Sequence, residues 1–414
     1  MAISKEQTRP ARTWRRKFSL LVIGFIVGLL LVEVGLRLIG YSYPEFYVTD
    51  DSRGYSLRPN MQGWYRKEGA AYVHINSDGL RDREHAKRKP ADTFRIAVLG
   101  DSFIEALQVP FEQSFCPVLE QQLRDCEQLP TKNVEVLNFG VSGYGTAQEL
   151  LTLRKQVWQY NPDLVVLAVT TNNDISDNSR SLKGTDQIPY FVWRQDKLVE
   201  DDSFQQTRSF RSKNTSLGRL GRWFRDHLRF VQAVQQAAFA IRIMRAERAA
   251  KNATTNVDAH NNQQTTADEL GVDSLVYREP IDPVWRDAWA VTEQLIKTMR
   301  TEVEARASQF IVITLSNPPQ VLPSAAARDA FLQRVGAKDI FYPDHRIADF
   351  CQREGIAVAT LAPQMQAYAQ QNNLMLHGFG SDIGNGHWNP SGHRIAAQLA
   401  ADAVCATLKN RKGK

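Results

Sequence analysis

The apolar residues of this chain form one long N-terminal segment followed by a series of short runs. Five runs of about six residues indicate buried strands, at 94–99, 134–139, 164–169, 310–315 and 356–361. Segments with helical periodicity lie between and after them, at about 111–126, 146–158, 285–306, 341–353 and 391–408. Strands that alternate with helices predict an α/β fold, with a five-stranded parallel sheet between two layers of helices.

The N-terminal apolar segment, residues 18–40, is interrupted only by Glu33 and Arg37. Its 23 residues exceed the roughly 20 that a helix needs to cross a bilayer. Six basic residues precede it within residues 1–17, which predicts a cytoplasmic N-terminus. A cleaved signal peptide is the alternative, but no small-x-small site closes the apolar run. We expect a single-pass anchor in the lipid bilayer, with the catalytic domain periplasmic or extracellular.

Composition and charge narrow the range of partners. The 414 residues are 43% hydrophobic and 23% charged, which is typical of a globular protein. The net charge is +6, but residues 1–17 carry +5 and residues 409–414 carry +4, so residues 18–408 carry −3. The basic residues are concentrated at the two ends, so we expect no nucleic-acid partner.

The segments around the strands complete the predicted organisation. Residues 1–17 are a basic tail, 41–93 an irregular extracytoplasmic lead-in rich in turn residues, 94–408 the main domain, and 409–414 a second basic tail. The main domain contains a long helical insertion at 175–284, with a hairpin near 190–199, an apolar helical stripe at 217–241 and a flexible polar stretch at 252–266. Residues 217–251 carry +6, which fits anionic lipid, an acidic glycan or simply a solvated helix face.

The four cysteines, Cys116, Cys126, Cys351 and Cys405, match no metal-binding spacing. Outside the cytoplasm one or two disulfides are allowed, and buried free thiols are the alternative. No phosphate loop or metal motif is present, so we expect neither a metal nor a cofactor.

Candidate chemistry lies at the ends of three strands and before the last helix. Ser102 follows the first strand, a glycine-rich turn with Gly143 follows the second, and Asn173 follows the third. Ligands of parallel sheets bind beyond the carboxyl ends of the strands. His387 precedes the final helix and is the candidate base, whereas we assign His393 a structural role. A serine, free backbone N–H groups, an amide and an imidazole are the components of acyl transfer through a serine nucleophile.

These four blocks, in this order, resemble the SGNH or GDSL-type hydrolase superfamily. The anchor and an Asn-Ser-Asp-Gly-Leu-Arg sequence at 76–81 are similar to its membrane-anchored bacterial branch. The resemblance implies a flavodoxin-like three-layer fold, with Ser102 as nucleophile and His387 as base. It also implies an oxyanion hole made by the N–H groups of Ser102 and Gly143 and by the Asn173 side chain.

The resemblance leaves the third member of the catalytic triad open. The family usually places an aspartate two or three residues before the histidine, where this chain has Asn385 and Gly384. Either Asn385 or Asp382 could orient His387.

The predicted activity is that of a serine esterase that hydrolyses O-acyl esters, with O-acetyl as our choice, on a carbohydrate of the cell envelope or a small ester. A polysaccharide O-acetyltransferase that uses the same site is an alternative, because a sugar hydroxyl can replace water. A non-catalytic envelope protein that binds a glycan or takes part in assembly is a further alternative, since the expected aspartate is missing.

Overall fold

The computed structural model describes residues 12–254 and 272–412. Most of the predicted flexible stretch 252–266, much of the N-terminal basic tail and the last two residues lie outside the described residues. The strands are β1 (Tyr47–Asp50), β2 (Gly54–Leu57), β3 (Gln62–Tyr65), β4 (Ala71–His74), β5 (Thr93–Leu99), β6 (Asn133–Asn138), β7 (Leu164–Thr170), β8 (Tyr190–Arg194), β9 (Lys197–Asp201), β10 (Gln309–Leu315) and β11 (Ala357–Thr360). The helices are α1 (Arg12–Leu38), α2 (Ser102–Glu105), α3 (Phe115–Leu123), α4 (Thr146–Lys155), α5 (Asn173–Asp177), α6 (Arg180–Lys183), α7 (Arg208–Asn214), α8 (Ser216–His227), α9 (Arg229–Thr254), α10 (Pro283–Glu304), α11 (Ala325–Val335), α12 (Tyr342–Glu354), α13 (Ala362–Asn372) and α14 (Pro390–Lys412).

The five predicted apolar runs form the central sheet, with each boundary within one residue of the prediction. The strand order is β11-β10-β7-β5-β6 and every pair is parallel. In order of appearance this is the 2-1-3-4-5 arrangement of flavodoxin-like sheets, whose ligands bind next to the first strand, where the order reverses. The predicted fold class is confirmed.

Both faces of the sheet are covered by helices, because strand residues with apolar side chains on both faces need two packing layers. Along β5, Ala97 and Leu99 pack into a core cluster with residues of α4, α10 and α12. Ile96 and Val98 pack on the opposite face with residues of α3, α13 and α14. These two clusters hold the carboxyl ends of the strands, and therefore the loops that follow them, in fixed positions.

The lead-in is more regular than predicted. It forms two antiparallel hairpins, β1 with β2 and β3 with β4. In β4 buried and exposed side chains alternate, which is the pattern of a strand with one face against the protein. The expectation of an irregular segment was wrong for residues 47–74, whose short strands are paired. Residues 75–92, which contain the turn residues Asn76–Gly79 and Asp92, form neither strand nor helix, as expected.

The described chain divides into two compact units. The sheet unit comprises residues 46–218 and 272–412, and the helical unit comprises residues 12–45 and 219–254. The predicted hairpin in the insertion is confirmed as β8 and β9. The predicted apolar helix after it is divided at Leu228 into α8 and α9.

Helix α1 contains one segment, Trp14–Leu38, that is long and apolar enough to cross a membrane. Its large apolar side chains, such as Leu21 and Phe25, are not covered by other parts of the protein. A helix of this kind can therefore take lipid as its packing partner.

One disulfide, between Cys126 and Cys405, joins the segment after α3 to α14 across 279 residues. Cys116 and Cys351 are buried free thiols. Both alternatives stated for the cysteines therefore occur, one for each pair.

Candidate active site

Ser102 lies at the first turn after β5, at the N-terminus of the short helix α2. The carboxylate of Asp101 caps this helix by accepting a hydrogen bond from the N–H of Phe103 at 3.0 Å. Gly100 leaves room for the tight turn, since a Cβ at this position would collide with Ile104. The local sequence thus fixes the serine at the carboxyl edge of the sheet, where only 6% of its surface is exposed.

The structure brings His387 to Ser102 although 285 residues separate them. The distance between Ser102 Oγ and His387 Nε2 is 2.8 Å. The ring of Phe103 packs against the imidazole, with 5.1 Å between ring centroids. A hydroxyl that donates to an imidazole nitrogen at this distance is arranged for transfer of its proton.

The other nitrogen of His387 contacts a residue that the sequence did not identify, Glu68. His387 Nδ1 donates to Glu68 Oε2, and the backbone N–H of His387 donates to Glu68 Oε1 at 2.7 Å. Burial, the largest single influence, opposes ionisation of Glu68, but the two hydrogen bonds from His387 and the favourable charge interactions with His387 and His377 together outweigh it and lower the pKa of this carboxyl. An ionised carboxylate at Nδ1 keeps the proton there, which leaves Nε2 free to accept from Ser102.

The expectation that Asn385 or Asp382 orients His387 is corrected by this contact. The Asn385 amide donates to the Asp382 carboxylate at 3.1 Å, and both side chains are exposed. The orienting position at Nδ1 is taken by Glu68. A loop that turns outward just before His387 leaves room for a carboxylate from a different part of the chain.

Glu68 lies in the turn between β3 and β4, at the tip of the second lead-in hairpin. Gly386 is required where the hairpin meets the histidine loop: its φ is +67°, and a Cβ there would collide with the Glu68 carboxylate. Two features of the sequence could have pointed to Glu68: no acid stands two or three residues before His387, and Glu68-Gly69 forms a turn that carries a carboxylate. Nothing local linked that turn to a residue 319 positions away.

The loop that carries His387 is fixed by buried polar contacts. The Trp388 indole N–H donates to Ser316 Oγ at 2.9 Å, and Ser316 in turn contacts His377 Nε2 at 3.1 Å. Burial lowers the pKa of His377 to about 3, so this imidazole is neutral. His393 is buried beside Trp388, with 5.5 Å between ring centroids. These contacts give His377 and His393 supporting positions behind the loop.

Asn173, the first residue of α5, lies beside the serine turn. Its amide nitrogen donates to Asp101 Oδ2 at 3.1 Å. Burial raises the pKa of Asp101, although hydrogen bonds from Phe103 and Asn173 oppose this effect. Asp101, which immediately precedes Ser102, thereby restrains the side-chain amide of Asn173.

The first lead-in hairpin, β1–β2, contacts the loop that contains Gly143 and restrains it. The Tyr55 hydroxyl donates to the carbonyl oxygen of Ser142 at 2.8 Å. Gly143 has φ +75°, and a Cβ there would lie 2.8 Å from the same hydroxyl. Ser142 Oγ contacts Glu105 Oε2, which also accepts from the Tyr47 hydroxyl at 2.9 Å. The conformation of this loop therefore depends on Tyr47 and Tyr55.

Three buried carboxyl groups near these contacts have raised pKa values, and no metal site accompanies them in the described residues. Burial raises the pKa of Glu105 to about 7, against the hydrogen bonds from Ser142 and Tyr47. Burial, and after it repulsion by nearby carboxylates that include Asp101, raise the pKa of Glu149 and of Asp174. Within residues 12–254 and 272–412, no cluster of three or more His, Cys, Asp or Glu side chains could hold a metal ion.

No protein-family model matches this chain, and no curated protein matches its sequence. Solved structures with a similar arrangement include three hydrolases. LAE5, an alpha/beta hydrolase from the metagenome of Lake Arreo, Spain, is 12% identical, with 76% of this chain and 96% of that chain covered and a TM-score of 0.36. The acetyl xylan esterase AlAXEase is 13% identical, with 75% and 100% covered and a TM-score of 0.37.

The third is a catalytic mutant of Axe2, an acetylxylan esterase from Geobacillus stearothermophilus. It is 10% identical, with 75% of this chain and 94% of that chain covered and a TM-score of 0.35. These identities and scores are too low to assign an activity, so the activity has to be argued from the site itself.

Proposed function

We propose that this protein is a serine esterase that hydrolyses O-acyl esters through an acyl-serine intermediate. The observation that carries the proposal is the continuous contact from Ser102 Oγ to His387 Nε2 and from His387 Nδ1 to Glu68. A nucleophile, a base and an orienting carboxylate in this order are recognised as a catalytic triad by geometry and role.

In this mechanism Ser102 Oγ attacks the ester carbonyl carbon while His387 Nε2 takes the serine proton. The imidazolium that forms is stabilised by Glu68, which remains ionised. Collapse of the tetrahedral intermediate breaks the bond to the alcohol, and His387 returns a proton to that oxygen. A water molecule, deprotonated by the same imidazole, then attacks the acyl carbon. The bond from this carbon to Ser102 Oγ breaks, His387 returns the proton to Oγ, and the carboxylic acid is released.

The negative oxygen of the tetrahedral intermediate needs hydrogen-bond donors that are already in place. The backbone N–H groups of Ser102 and Gly143 and the amide of Asn173 are our candidates for this oxyanion hole. The contacts from Asp101 and Tyr55 support this assignment, because they restrict Asn173 and the Gly143 loop before substrate binds.

We also propose the setting of the reaction: residues 18–40 anchor the chain, the N-terminus is cytoplasmic and the sheet unit lies in the periplasm or outside the cell. The disulfide between Cys126 and Cys405 supports this orientation, because structural disulfides are rare in the cytosol. An acetylated envelope carbohydrate is the substrate we propose for an enzyme at this location.

Labelling with a fluorophosphonate probe tests the catalytic proposal directly. The full-length protein in detergent is expected to gain one adduct, which mass spectrometry places on Ser102. Ser102→Ala should abolish the adduct, and Ser77→Ala, which changes an exposed serine of the lead-in, should retain it. Labelling that persists in Ser102→Ala would contradict the proposal.

The O-acetyltransferase alternative is separated by the fate of the acyl group. With an activated acetyl ester and an oligosaccharide acceptor, a hydrolase releases acetate at a rate that the acceptor does not change. A transferase forms acetylated oligosaccharide at the expense of acetate. The non-catalytic alternative depended on the missing aspartate before His387, and the contact of His387 with Glu68 supports the catalytic proposal over it.

A further inference from the structure

The corner between α8 and α9 is bound to the last turn of α1. Arg37 Nη2 donates to the carbonyl oxygen of His227 at 2.6 Å, and the N–H of Phe230 donates to Glu33 Oε2 at 3.1 Å. Glu33 and Arg37 also pair with each other at 2.7 Å. The two charged residues of the apolar segment therefore hold the corner by its backbone.

Because the corner is bound to Glu33 and Arg37, its depth in a bilayer follows from the position of these two residues in the proposed anchor. In the proposed anchor, residues 18–40, Glu33 and Arg37 lie near the extracytoplasmic end. A hydrocarbon core takes about 20 helical residues, so this end reaches the headgroup region. The residues after α1 are tied to the same corner, since the N–H of Tyr43 donates to Gln232 Oε1 at 2.9 Å. The corner therefore lies at the level of the lipid headgroups.

The helices that leave this corner expose large apolar side chains. Trp223 has 50% of its surface exposed, which is unusual for tryptophan in a soluble protein. Among the side chains that the structure describes in these helices, the other large apolar ones exposed within the helical unit are Leu220, Phe224, Val234, Ile241 and Met244. An apolar surface at this depth has the hydrocarbon boundary of the bilayer as its nearest apolar partner, and tryptophan favours that boundary.

Basic residues accompany the apolar ones. Residues 219–245 contain six arginines and one aspartate. Arginine can place its aliphatic part along an apolar surface and its guanidinium among phosphates. In α8 the apolar and the cationic side chains lie on different faces, whereas α9 adds exposed apolar side chains without such a separation. A helix with an apolar and a cationic face, such as α8, is typical of the membrane interface, where anionic lipid attracts the cations.

We propose that residues 219–245 form an interfacial lipid-binding surface that lies in the headgroup region of the same bilayer and binds anionic phospholipid. This inference rests on the proposed anchoring of residues 18–40. It adds a second membrane attachment, which fixes the orientation of the helical unit relative to the bilayer and prevents free rotation about a single span.

The test uses nitroxide labels on full-length protein in nanodiscs of phosphatidylcholine, with or without phosphatidylglycerol. Labelling is selective because Cys116 and Cys351 are buried and Cys126 and Cys405 are joined. Single variants Trp223→Cys, Leu30→Cys and Ile281→Cys report the proposed surface, the anchor and an exposed site of the sheet unit, where Ile281 is 85% exposed. Power-saturation EPR compares access of oxygen, which enters lipid, with access of a nickel chelate, which stays in water.

We expect labels at 223 and 30 to be several-fold more accessible to oxygen than to the chelate, and the label at 281 to show the reverse. A water-like label at 223 with a lipid-like label at 30 would overturn the lipid-binding surface and leave the anchor intact. A water-like label at 30 would contradict the anchor, and the lipid-binding surface would fall with it. Circular dichroism of each variant verifies that it is folded.

The charge of the surface is tested separately by Arg219→Gln combined with Arg222→Gln in the background of Trp223→Cys. We expect the label at 223 to be more lipid-accessible in nanodiscs that contain phosphatidylglycerol than in nanodiscs of phosphatidylcholine alone. The double change should remove this difference, and Arg194→Gln in hairpin β8–β9 should preserve it. A soluble polyuronate tests whether the surface binds an acidic glycan instead of lipid. Protection of a water-like label at 223 by the polyuronate would assign the surface to an acidic glycan and overturn the lipid proposal.

Discussion

The two contacts of His387 reach regions of the molecule that differ in construction. Ser102 lies in a turn at the end of β5, a strand with neighbours on both sides and helices on both faces. Glu68 lies in the turn of a two-stranded hairpin outside the sheet. The position of Ser102, the proposed nucleophile, thus depends on the main core of the protein, whereas the position of Glu68, the proposed orienting carboxylate, depends on how one hairpin packs.

The comparison indicates that the two side chains in contact with His387 depend on different parts of the fold. The histidine loop lacks an acid that contacts the imidazole, and the hairpin supplies one from the opposite side. The first hairpin acts similarly on the Gly143 loop through Tyr47 and Tyr55. The lead-in is therefore part of the proposed active site, and its contributions can be separated from those of the sheet.

The largest effect we expect within the lead-in is that of Glu68→Gln. The amide preserves the size of the side chain but removes the charge that stabilises the imidazolium and its tautomer. We expect kcat for an activated acetyl ester to fall by up to about 10⁴-fold, with a small change in KM. Steady-state kinetics of the full-length enzyme in detergent measures both constants.

Asp382→Asn and Asn385→Ala are the matched controls, since these residues were the sequence-based candidates for the same role. Both variants should keep kcat close to that of the wild type. A large loss in either control, or full activity of Glu68→Gln, would disprove the assignment of Glu68.

A smaller effect is expected from the sheet side of the oxyanion hole. Asn173→Ala removes a proposed donor but keeps Ser102, His387 and Glu68 in contact. Loss of one donor typically reduces kcat by about 10²- to 10³-fold. Fluorophosphonate labelling should still occur, more slowly, on Ser102. An Asn173→Ala enzyme with unchanged kcat would remove this amide from the mechanism.

The smallest expected effect is on the pH dependence of stability through Glu105. Its pKa is raised to about 7 in the folded protein, so an unfolded chain ionises this group at lower pH. Folding then loses stability as pH rises from about 4.5 to about 7, by about 3 kcal/mol for this group. Glu105→Gln should reduce the decrease in melting temperature between pH 5 and pH 7.5.

Glu112→Gln, at an exposed position in the following turn, is the control for this change and should keep the wild-type decrease. The melting temperature can be followed by intrinsic tryptophan fluorescence in detergent. An unchanged decrease in Glu105→Gln would show that Glu105 does not contribute to the pH dependence.

Sequence reasoning predicted the sheet well because each of its strands is a continuous apolar run. The strand boundaries were within one residue, and Ser102 and His387 were brought together as the order of the motifs indicated. The hairpins of the lead-in were missed because strands of four residues have too few positions to establish an alternating pattern. The break at Leu228 was missed because the apolar stripe continues through it.

The sequence alone determined the α/β fold, the position of the apolar segment and the pairing of a serine at a strand end with a histidine before the last helix. These depend on periodicity and on short motifs, which are local properties of the chain. Tertiary structure decided that Glu68 contacts His387, that Cys126 bonds to Cys405, and that Glu33 holds the start of α9. Each of these contacts joins segments far apart in the chain, and their meeting depends on how whole elements pack.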